Sequence, residues 1–179
     1  MRVGLLTVSD RASQGIYADE SGPEMEKMLV ALSSGTAAPL AAPAMGWPLQ
    51  PVVECRGVVP DEPEVIAATV ALWADQRNLD LILTSGGTGF GERDLTPEAV
   101  RPLLHREAPG VAQALLNEGL KHTPLAVLSR PVVGTRGKTL ICTLPGSVKA
   151  VRENIVALGP LLPRIIQLIA SGSCDGKSK

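Results

Sequence analysis

LDLILTSGGTGFGERDLTPEA, residues 79–99, joins a short apolar run, a glycine-rich turn and the start of a helix. Residues 79–84 are typical of a strand buried on both faces of a sheet, because an apolar run is closed by a glycine-rich segment. Thr96 followed by Pro97 predicts a helix N-cap with proline at the first helical position. A buried strand that passes directly into a helix indicates an α/β fold.

The same alternation extends towards the N-terminus. Residues 3–8 form another apolar run, and Ser21 and Glu24 have the spacing of a capping box, which predicts a helix over residues 22–33. Another helix is expected to begin at Asp61. Its predicted buried stripe consists of Val65, Ala68, Leu72 and Trp73.

Further elements are predicted after the glycine-rich turn. Strand candidates lie at residues 125–128 and 139–143, Ser147 is a predicted N-cap, and a closing helix is expected near residues 160–170. Strands that alternate with helices through short turns imply a mostly parallel sheet covered by helices on both faces. In such sheets, ligands bind beyond the carboxyl ends of the strands.

A single domain over residues 1–170 accommodates all of these elements. Within it, residues 34–50 contain ten Ala, Pro and Gly residues and no charged residue, which predicts a mobile loop insertion. Residues 171–179, SGSCDGKSK, are expected to form a flexible tail.

Composition narrows the functional classes. A net charge of −1, with one Tyr, one Phe and two Trp, predicts neither a basic groove nor a stacking surface for nucleic acid. The longest apolar runs are far shorter than the roughly 20 residues of a membrane span. Asp10 and Arg11 interrupt the N-terminal apolar run before any signal-peptide cleavage site. Three cysteines without a CxxC pair favour a reducing compartment, so we expect a cytoplasmic protein.

The glycine-rich turn has the composition of a phosphate cradle. Gly86, Gly87 and Gly89 allow the backbone to bend with positive φ and to expose its N–H groups. The turn is not a Walker loop, because Glu92 and Arg93 stand where Lys and Ser or Thr are needed, and the dinucleotide fingerprint fails as well. A tight turn whose glycines serve packing alone is the alternative.

Charged residues follow the predicted strand at residues 79–84 and a further predicted strand that ends at VVPDE, residues 58–62. Arginine suits phosphate oxygens and a carboxylate beside phosphates commonly holds Mg²⁺, so Arg93 and Asp94 are candidates, although a surface ion pair needs the same residue types. Asp61 is expected at the same edge of the sheet, where it caps a helix, faces Asp94, or does both. His105 and His122 have no partner at metal or triad spacing and are assigned structural or surface roles.

Two more segments are expected at this edge. SDR, residues 9–11, follows the first strand, and LPGS, residues 144–147, follows a late one. Helix N-termini at such an edge attract anions. Ser147 and Lys149 also have plain interpretations, as a helix cap and a solvated lysine.

Six motifs in order over residues 2–170 resemble those of the MogA/MoaB-type molybdopterin adenylyltransferases, a family that includes the G domains of gephyrin. The motifs are TVSDR at 7–11, DESGP at 19–23, VPDE at 59–62, TSGGTGFGERDLTPEA at 84–99, LSR at 128–130 and LPGS at 144–147. Thr88, Arg93 and Asp94 favour this branch over MoeA-type and CinA-type proteins. The chain departs from the family pattern at residues 91–92 and 148–149.

The resemblance implies a three-layer α/β fold with a mainly parallel mixed sheet, assembled as a homotrimer. It implies Mg²⁺-dependent transfer of AMP from ATP to molybdopterin, release of pyrophosphate, and a transient contact with a molybdenum-insertion enzyme. Asp61 and Asp94 would be catalytic and hold Mg²⁺. The implied nucleotide-binding residues are Ser85, Gly86, Gly87, Thr88, Gly89, Pro145 and Gly146. The implied substrate-binding residues are Ser9, Asp10, Arg11, Ser129, Arg130, Ser147 and Lys149.

Two other functions stay open at this point. A molybdopterin-binding or scaffold module of the same fold would bind the pterin without forming an ATP-dependent product. A CinA-like nucleotide hydrolase is the second alternative, and the GGTG and RD residues of the turn argue against it. The sequence does not distinguish a molybdenum from a tungsten pathway.

Overall fold

The fold consists of six strands and seven α-helices within residues 1–36 and 49–172, the part of the chain that the computed structural model describes. The strands are Arg2–Val8 (β1), Val52–Val59 (β2), Leu81–Ser85 (β3), Arg106–Glu107 (β4), Val133–Arg136 (β5) and Thr139–Leu144 (β6). The helices are Asp10–Ser13 (α1), Ser21–Ser33 (α2), Pro63–Asp75 (α3), Thr96–Val100 (α4), Pro109–His122 (α5), Val148–Leu158 (α6) and Leu162–Ser171 (α7). Short 3-10 segments lie at Arg101–Leu103 and Pro124–Leu128.

All six strands form one mixed sheet in the order β2-β1-β3-β6-β5-β4. β2, β1, β3 and β6 pair in parallel, whereas β5 pairs antiparallel with both β6 and β4. In the parallel register Thr7 lies opposite Ser85, and Ser85 lies opposite Leu144. The carboxyl ends of β1, β3 and β6 therefore meet at one edge, where α/β sheets bind their ligands.

Apolar side chains fill both faces of the sheet. On one face, Val3, Leu83 and Cys142 belong to a cluster that is completed by residues of α2, α5, α6 and α7. On the other face, Leu6 and Ile82 pack with residues of α3 and α4. β3 is buried along its whole length, as expected of a central parallel strand covered on both sides. The predicted three-layer α/β fold is confirmed.

The start of α2 differs from the predicted capping box. Ser21 lies inside the helix, and the N-cap residue Glu20 makes no side-chain capping bond. Asp19 takes this role instead, because its Oδ1 accepts the Gly22 N–H at 3.0 Å. The Thr7 hydroxyl donates to the same carboxylate at 3.0 Å, so the cap is also a tertiary contact with β1.

The predictions for α3 were wrong in two respects. The helix begins at Pro63, two residues after Asp61, and the carboxylate of Asp61 does not cap it. Its buried residues are Ile66, Val70, Trp73 and Ala74, whereas Leu72 is 43% exposed. Of the predicted stripe Val65, Ala68, Leu72 and Trp73, only Trp73 is buried. Two apolar faces of this helix satisfy helical spacing, and the one with Ile66, Val70 and Trp73 packs against the sheet.

Thr96 is the first residue of α4 rather than its N-cap. Its hydroxyl donates to the Gly86 carbonyl oxygen at 2.9 Å, so a tertiary partner replaces the expected cap.

The predicted strand at residues 125–128 is also wrong. This segment forms the 3-10 turn Pro124–Leu128, and the Thr123 hydroxyl accepts the Leu125 N–H at 3.3 Å.

The C-terminal predictions agree with the structure. Ser147 caps α6, since its Oγ accepts the Ala150 N–H at 3.2 Å, and the closing helix is present as α7. α7 includes Ser171, the first residue of the predicted tail. Residues 37–48 of the predicted insertion and 173–179 of the tail lie outside the described residues.

No single described helix has the length and apolarity to cross a membrane, and only α6 and α7 pass that test jointly, with a 61° bend between them.

Candidate functional site

A cavity of about 430 Å³, here called the edge cavity, opens at the carboxyl ends of β1, β3 and β6. Eight predicted site residues line it: Ser9, Asp61, Ser85, Gly86, Gly87, Asp94, Gly146 and Ser147. Seven residues that line it were not predicted as site residues: Thr7, Val8, Tyr17, Asp19, Glu20, Ser21 and Val148. The remaining predicted residues do not line the edge cavity: Asp10, Arg11, Thr88, Gly89, Ser129, Arg130, Pro145 and Lys149.

Residues 86–94, here called the glycine loop, need glycine for both conformation and space. Gly86 and Gly87 have φ values of 110° and 62°, in the region that side chains disfavour. A β-carbon on Gly86 would meet the Val8 carbonyl oxygen, and one on Gly87 would meet the Thr96 hydroxyl and lie 3.1 Å from Asp61 Oδ1. These contacts bring the bare backbone of the loop against β1 and the Asp61 carboxylate.

Substituting Gly87 tests how close this approach is. We expect Gly87→Ala to reduce the free energy of unfolding by about 1–3 kcal/mol more than Gly137→Ala, the overpacking range. Gly137 is a matched control, because it has a φ of 55° and a β-carbon added there would meet nothing within 4 Å in the described part of the chain. Urea unfolding of both variants measures the difference. Equal losses would mean that backbone conformation alone requires glycine at position 87.

Asp10 and Asp61 are joined by reciprocal hydrogen bonds. Asp61 Oδ2 accepts the Asp10 N–H at 2.8 Å, and Asp10 Oδ1 accepts the Asp61 N–H at 2.9 Å. Arg93 grips Asp10 through Nε and Nη2 at 3.0 and 2.8 Å. The ion pair that was the alternative for Arg93 and Asp94 is therefore formed by Arg93 with Asp10 on α1. Asp61 is tied to the first residue of α1 and does not serve as a helix cap.

The two linked aspartates have opposite electrostatic environments. The Arg93 hydrogen bond holds the pKa of Asp10 below its ordinary range. Burial raises the pKa of Asp61, and the negative charges of Asp10 and Asp94 raise it further. Asp61 is therefore a partly desolvated carboxyl that lines the same cavity as the Asp94 carboxylate, and two negative charges on one cavity favour a bound cation.

Asp94 is held by the loop that carries it. Its Oδ2 accepts the Gly91 N–H at 2.8 Å, and a β-carbon on Gly89 or Gly91 would lie 2.8 Å from the same oxygen. Within residues 1–36 and 49–172, no hydrogen-bond donor reaches Asp94 Oδ1 or Asp61 Oδ1. Among the described residues, each carboxylate therefore has one oxygen that accepts no hydrogen bond from the protein.

Ser9 and Arg11 meet at Tyr17, a lining residue that sequence reasoning missed. The Ser9 and Tyr17 hydroxyls are 2.8 Å apart, and the Arg11 guanidinium carbon lies 4.7 Å from the centre of the Tyr17 ring. Arg11 is thus engaged with an aromatic face of the cavity wall. A single tyrosine in an aromatic-poor chain was the one available signal for this wall.

Three predicted substrate-binding residues have other partners. Lys149 pairs with Glu153 at 3.7 Å and is 71% exposed, as its plain interpretation predicted. Ser129 lines a separate apolar cavity of about 210 Å³, together with Pro145, and its hydroxyl lies 3.1 Å from that of Thr88. Arg130 donates to the carbonyl oxygens of the glycine loop. These residues support the loop or the surface beside it.

Comparison with known proteins identifies the family to which the chain is similar. The family model described as "Probable molybdopterin binding domain" matches residues 4–164. Gephyrin of Dictyostelium discoideum is 47% identical over 169 residues, and the molybdopterin adenylyltransferase of Helicobacter pylori is 35% identical over 169 residues. Each alignment covers 94% of this chain. The crystal structure of the molybdopterin biosynthesis enzyme MoaB from Thermus thermophilus is 44% identical, with a TM-score of 0.80, covering 95% of this chain and 96% of that one.

The relatives differ in length. The chain spans 22% of the Dictyostelium gephyrin but 88% of the Helicobacter enzyme. It is therefore similar to one part of the longer protein and to most of the shorter one.

Proposed function

The chain belongs to the family of molybdopterin-binding domains, and on this basis we propose that it acts in molybdenum cofactor biosynthesis as a molybdopterin adenylyltransferase. The proposed reaction transfers AMP from ATP to molybdopterin and releases pyrophosphate. The observation that carries the proposal is the edge cavity, where Asp61 and Asp94 meet the glycine loop and the N-terminus of α6. The name of the Helicobacter relative supports the same activity.

The edge cavity suits phosphate groups. Gly86 and Gly87 place bare backbone at its wall, and Ser147 and Val148 bring the first turn of α6 to it, where unpaired N–H groups and the helix dipole favour anions. We assign the nucleotide to Ser85, Gly86, Gly87, Thr88, Gly89, Pro145 and Gly146. Ser9, Arg11 and Ser147 are assigned to the pterin and its phosphate, whereas both carboxylate oxygens of Asp10 are already engaged by Arg93 and by the Asp61 N–H.

The two aspartates fit a Mg²⁺ ion. Each keeps an oxygen that no donor in the described part of the chain reaches, and both line the same cavity. Mg²⁺ binds through one or two protein carboxylates and completes its shell with water and substrate phosphates. Residues 1–36 and 49–172 contain no group of three or more His, Cys, Asp or Glu able to hold a metal, so the proposed ion would take its other ligands from water and substrate. When bound, the ion would neutralise phosphate charge.

The remaining role of the protein is to align the pterin phosphate with the α-phosphate of ATP. A bond forms between an oxygen of the pterin phosphate and the α-phosphorus of ATP, and the bond from that phosphorus to the bridging oxygen breaks to release pyrophosphate. The attacking oxygen is already anionic, so no general base is needed, and holding the two phosphates in line supplies the rate. Asp10 contributes indirectly, because it fixes the backbone of Asp61 and neutralises Arg93.

We also propose a homotrimer that contacts a molybdenum-insertion enzyme transiently. Support comes from exposed apolar side chains around the 3-10 turn Pro124–Leu128, where Leu125 is 68% exposed. Light scattering of the purified protein is expected to give three times the mass of one chain. The domain limits of 1–170 and a cytoplasmic location stay predictions.

Incubation of purified protein with molybdopterin and Mg-ATP tests the proposed function. We expect pyrophosphate release that requires the pterin, together with adenylylated pterin detected by mass spectrometry. Pterin binding without a product would support the binding-module alternative. Nucleotide hydrolysis that does not require pterin would support the CinA-like alternative.

A further inference from the structure

The Arg130 residue binds three carbonyl groups of the segment that carries Asp94. Its Nε donates to the Gly89 carbonyl oxygen at 2.9 Å, and its Nη2 donates to the Asp94 carbonyl oxygen at 2.6 Å. Its backbone N–H donates to the Thr88 carbonyl oxygen at 2.9 Å. The two ends of the 88–94 segment are therefore joined through one residue.

Glu98, on α4, holds the other side of the same guanidinium. Its carboxylate accepts from Nη1 and Nη2 of Arg130, and this contact lowers the pKa of the Glu98 carboxyl. The guanidinium carbon also lies 5.3 Å from the centre of the Phe90 ring. The pair thus connects the glycine loop to the helix that follows it.

These contacts occupy both edges of the guanidinium through which an arginine can bind a phosphate. A guanidinium binds an oxyanion in bidentate fashion through its Nε–Nη2 edge or its Nη1–Nη2 edge. In Arg130 the first edge is occupied by Gly89 and Asp94, and the second by Glu98. The side chain is 29% exposed and does not line the edge cavity. Its arrangement does not suit the substrate-binding role that the family resemblance implies.

We propose that Arg130 and Glu98 are positioning residues, which hold the glycine loop in the shape that presents the Asp94 carboxylate to the edge cavity. Arg130 acts through Asp94 and the loop, and it does not contact the substrate. The inference rests on the proposed adenylyl transfer, in which Asp94 takes part.

Glu98→Gln separates this role from direct substrate binding, because the two roles predict opposite results. If Glu98 anchors Arg130, kcat falls roughly 10- to 100-fold, the range seen when an outer partner of a metal-binding group is lost, and KM for molybdopterin changes little. If Arg130 binds the substrate phosphate, removal of the competing carboxylate frees the guanidinium, and KM falls while kcat is kept. The second result would overturn the proposal.

Arg130 variants provide an independent readout. Arg130→Lys keeps the charge but lacks the planar fork, so it is expected to lose as much kcat as Arg130→Gln. The Glu98→Gln/Arg130→Gln double variant is expected to be no worse than Arg130→Gln alone, since both substitutions break one unit. Wild-type kcat in Arg130→Lys would contradict the positioning role. So would a double variant whose loss of kcat equals the combined losses of the two single variants.

Arg136 and Asp75 form a matched control pair at the opposite edge of the sheet. Arg136 donates to Asp75 through Nε and Nη2 at 2.8 and 2.7 Å, and to the Leu103 carbonyl oxygen at 3.0 Å. Asp75→Asn removes a similar ion pair far from the edge cavity. It is expected to leave kcat unchanged, so a loss of kcat in this variant as large as that in Glu98→Gln would contradict the proposal.

Hydrogen exchange of the 88–95 peptide tests the contact without relying on catalysis. Glu98→Gln and Arg130→Gln are expected to increase its exchange, including that of the Gly91 N–H bound by Asp94, whereas Asp75→Asn is not. Wild-type protein that forms no adenylylated pterin would refute the proposed function, and the exchange result would still decide whether the pair holds the loop. Unchanged exchange in both variants would overturn the positioning role.

Discussion

Asp94→Asn is expected to lower adenylyl transfer at least roughly 100-fold, because loss of metal-assisted charge stabilisation costs several kcal/mol and each 1.36 kcal/mol is a factor of ten in rate. The substitution is nearly isosteric. The amide oxygen of the introduced asparagine would still accept the Gly91 N–H that Asp94 Oδ2 accepts at 2.8 Å, so the loop should keep its shape. Turnover and thermal unfolding, measured side by side, check this result.

Asp80→Asn is a matched control for this variant. Asp80 Oδ2 likewise accepts a backbone N–H, that of Arg2, at 2.6 Å, but it lies at the amino end of β3. We expect this control to retain turnover. Full activity of Asp94→Asn, or an equal loss in Asp80→Asn, would contradict a role for Asp94 in the reaction.

Asp61→Asn is expected to produce a loss of similar size, and the wild-type pH profile should identify the same group. Burial raises the pKa of Asp61, so activity that needs its ionised form is complete above the raised pKa and falls as the pH drops through it. The acid limb of kcat/KM should therefore lie above the ordinary pKa of an aspartate side chain. An acid limb below that pKa would point to Asp10 instead, whose pKa is lowered by Arg93.

The sign of the effect on stability follows from the same shift. A carboxyl with a raised native-state pKa binds its proton more tightly in the folded than in the unfolded chain, so its ionisation reduces stability as the pH rises. Asp61→Asn removes that ionisation and still offers an oxygen to the Asp10 N–H. We expect its melting temperature at neutral pH to be unchanged or higher. A marked decrease would mean that the Asp61 charge stabilises the fold.

The central sheet was predictable from sequence because parallel strands covered on both faces are continuous apolar runs, as in β1, β3 and β6. The two-residue strand β4 is too short to show a period. The segment Pro124–Leu128 is apolar but largely exposed, so apolarity predicted a strand there wrongly.

Helix starts were harder to predict, because tertiary contacts replaced local caps. Asp19 binds both the start of α2 and the Thr7 hydroxyl, and Thr96 donates to Gly86 rather than capping α4. Sequence spacing describes only neighbours along the chain. Sequence spacing therefore identified residues of the types that cap helices, but it did not show which group each of them would bind.

In the candidate site, too, local patterns were predictable from the sequence and tertiary partners were not. The glycine loop with Asp94 forms a local pattern in the sequence, whereas Asp61 lies in a separate segment, and the structure places both aspartates on one cavity. The sequence could not show that Arg130 is engaged by Glu98, since these residues are 32 positions apart. An arginine in the sequence looks the same whether its side chain binds a substrate or a neighbouring carbonyl group.

A single-turnover reaction with ATP labelled at the α-phosphorus tests the central claim most directly. With excess protein, molybdopterin and Mg²⁺, the proposed adenylyl transfer predicts that the label appears on the pterin in equal amount to the pyrophosphate released. Label found only in free AMP or in unreacted ATP, under conditions where molybdopterin is bound, would contradict it.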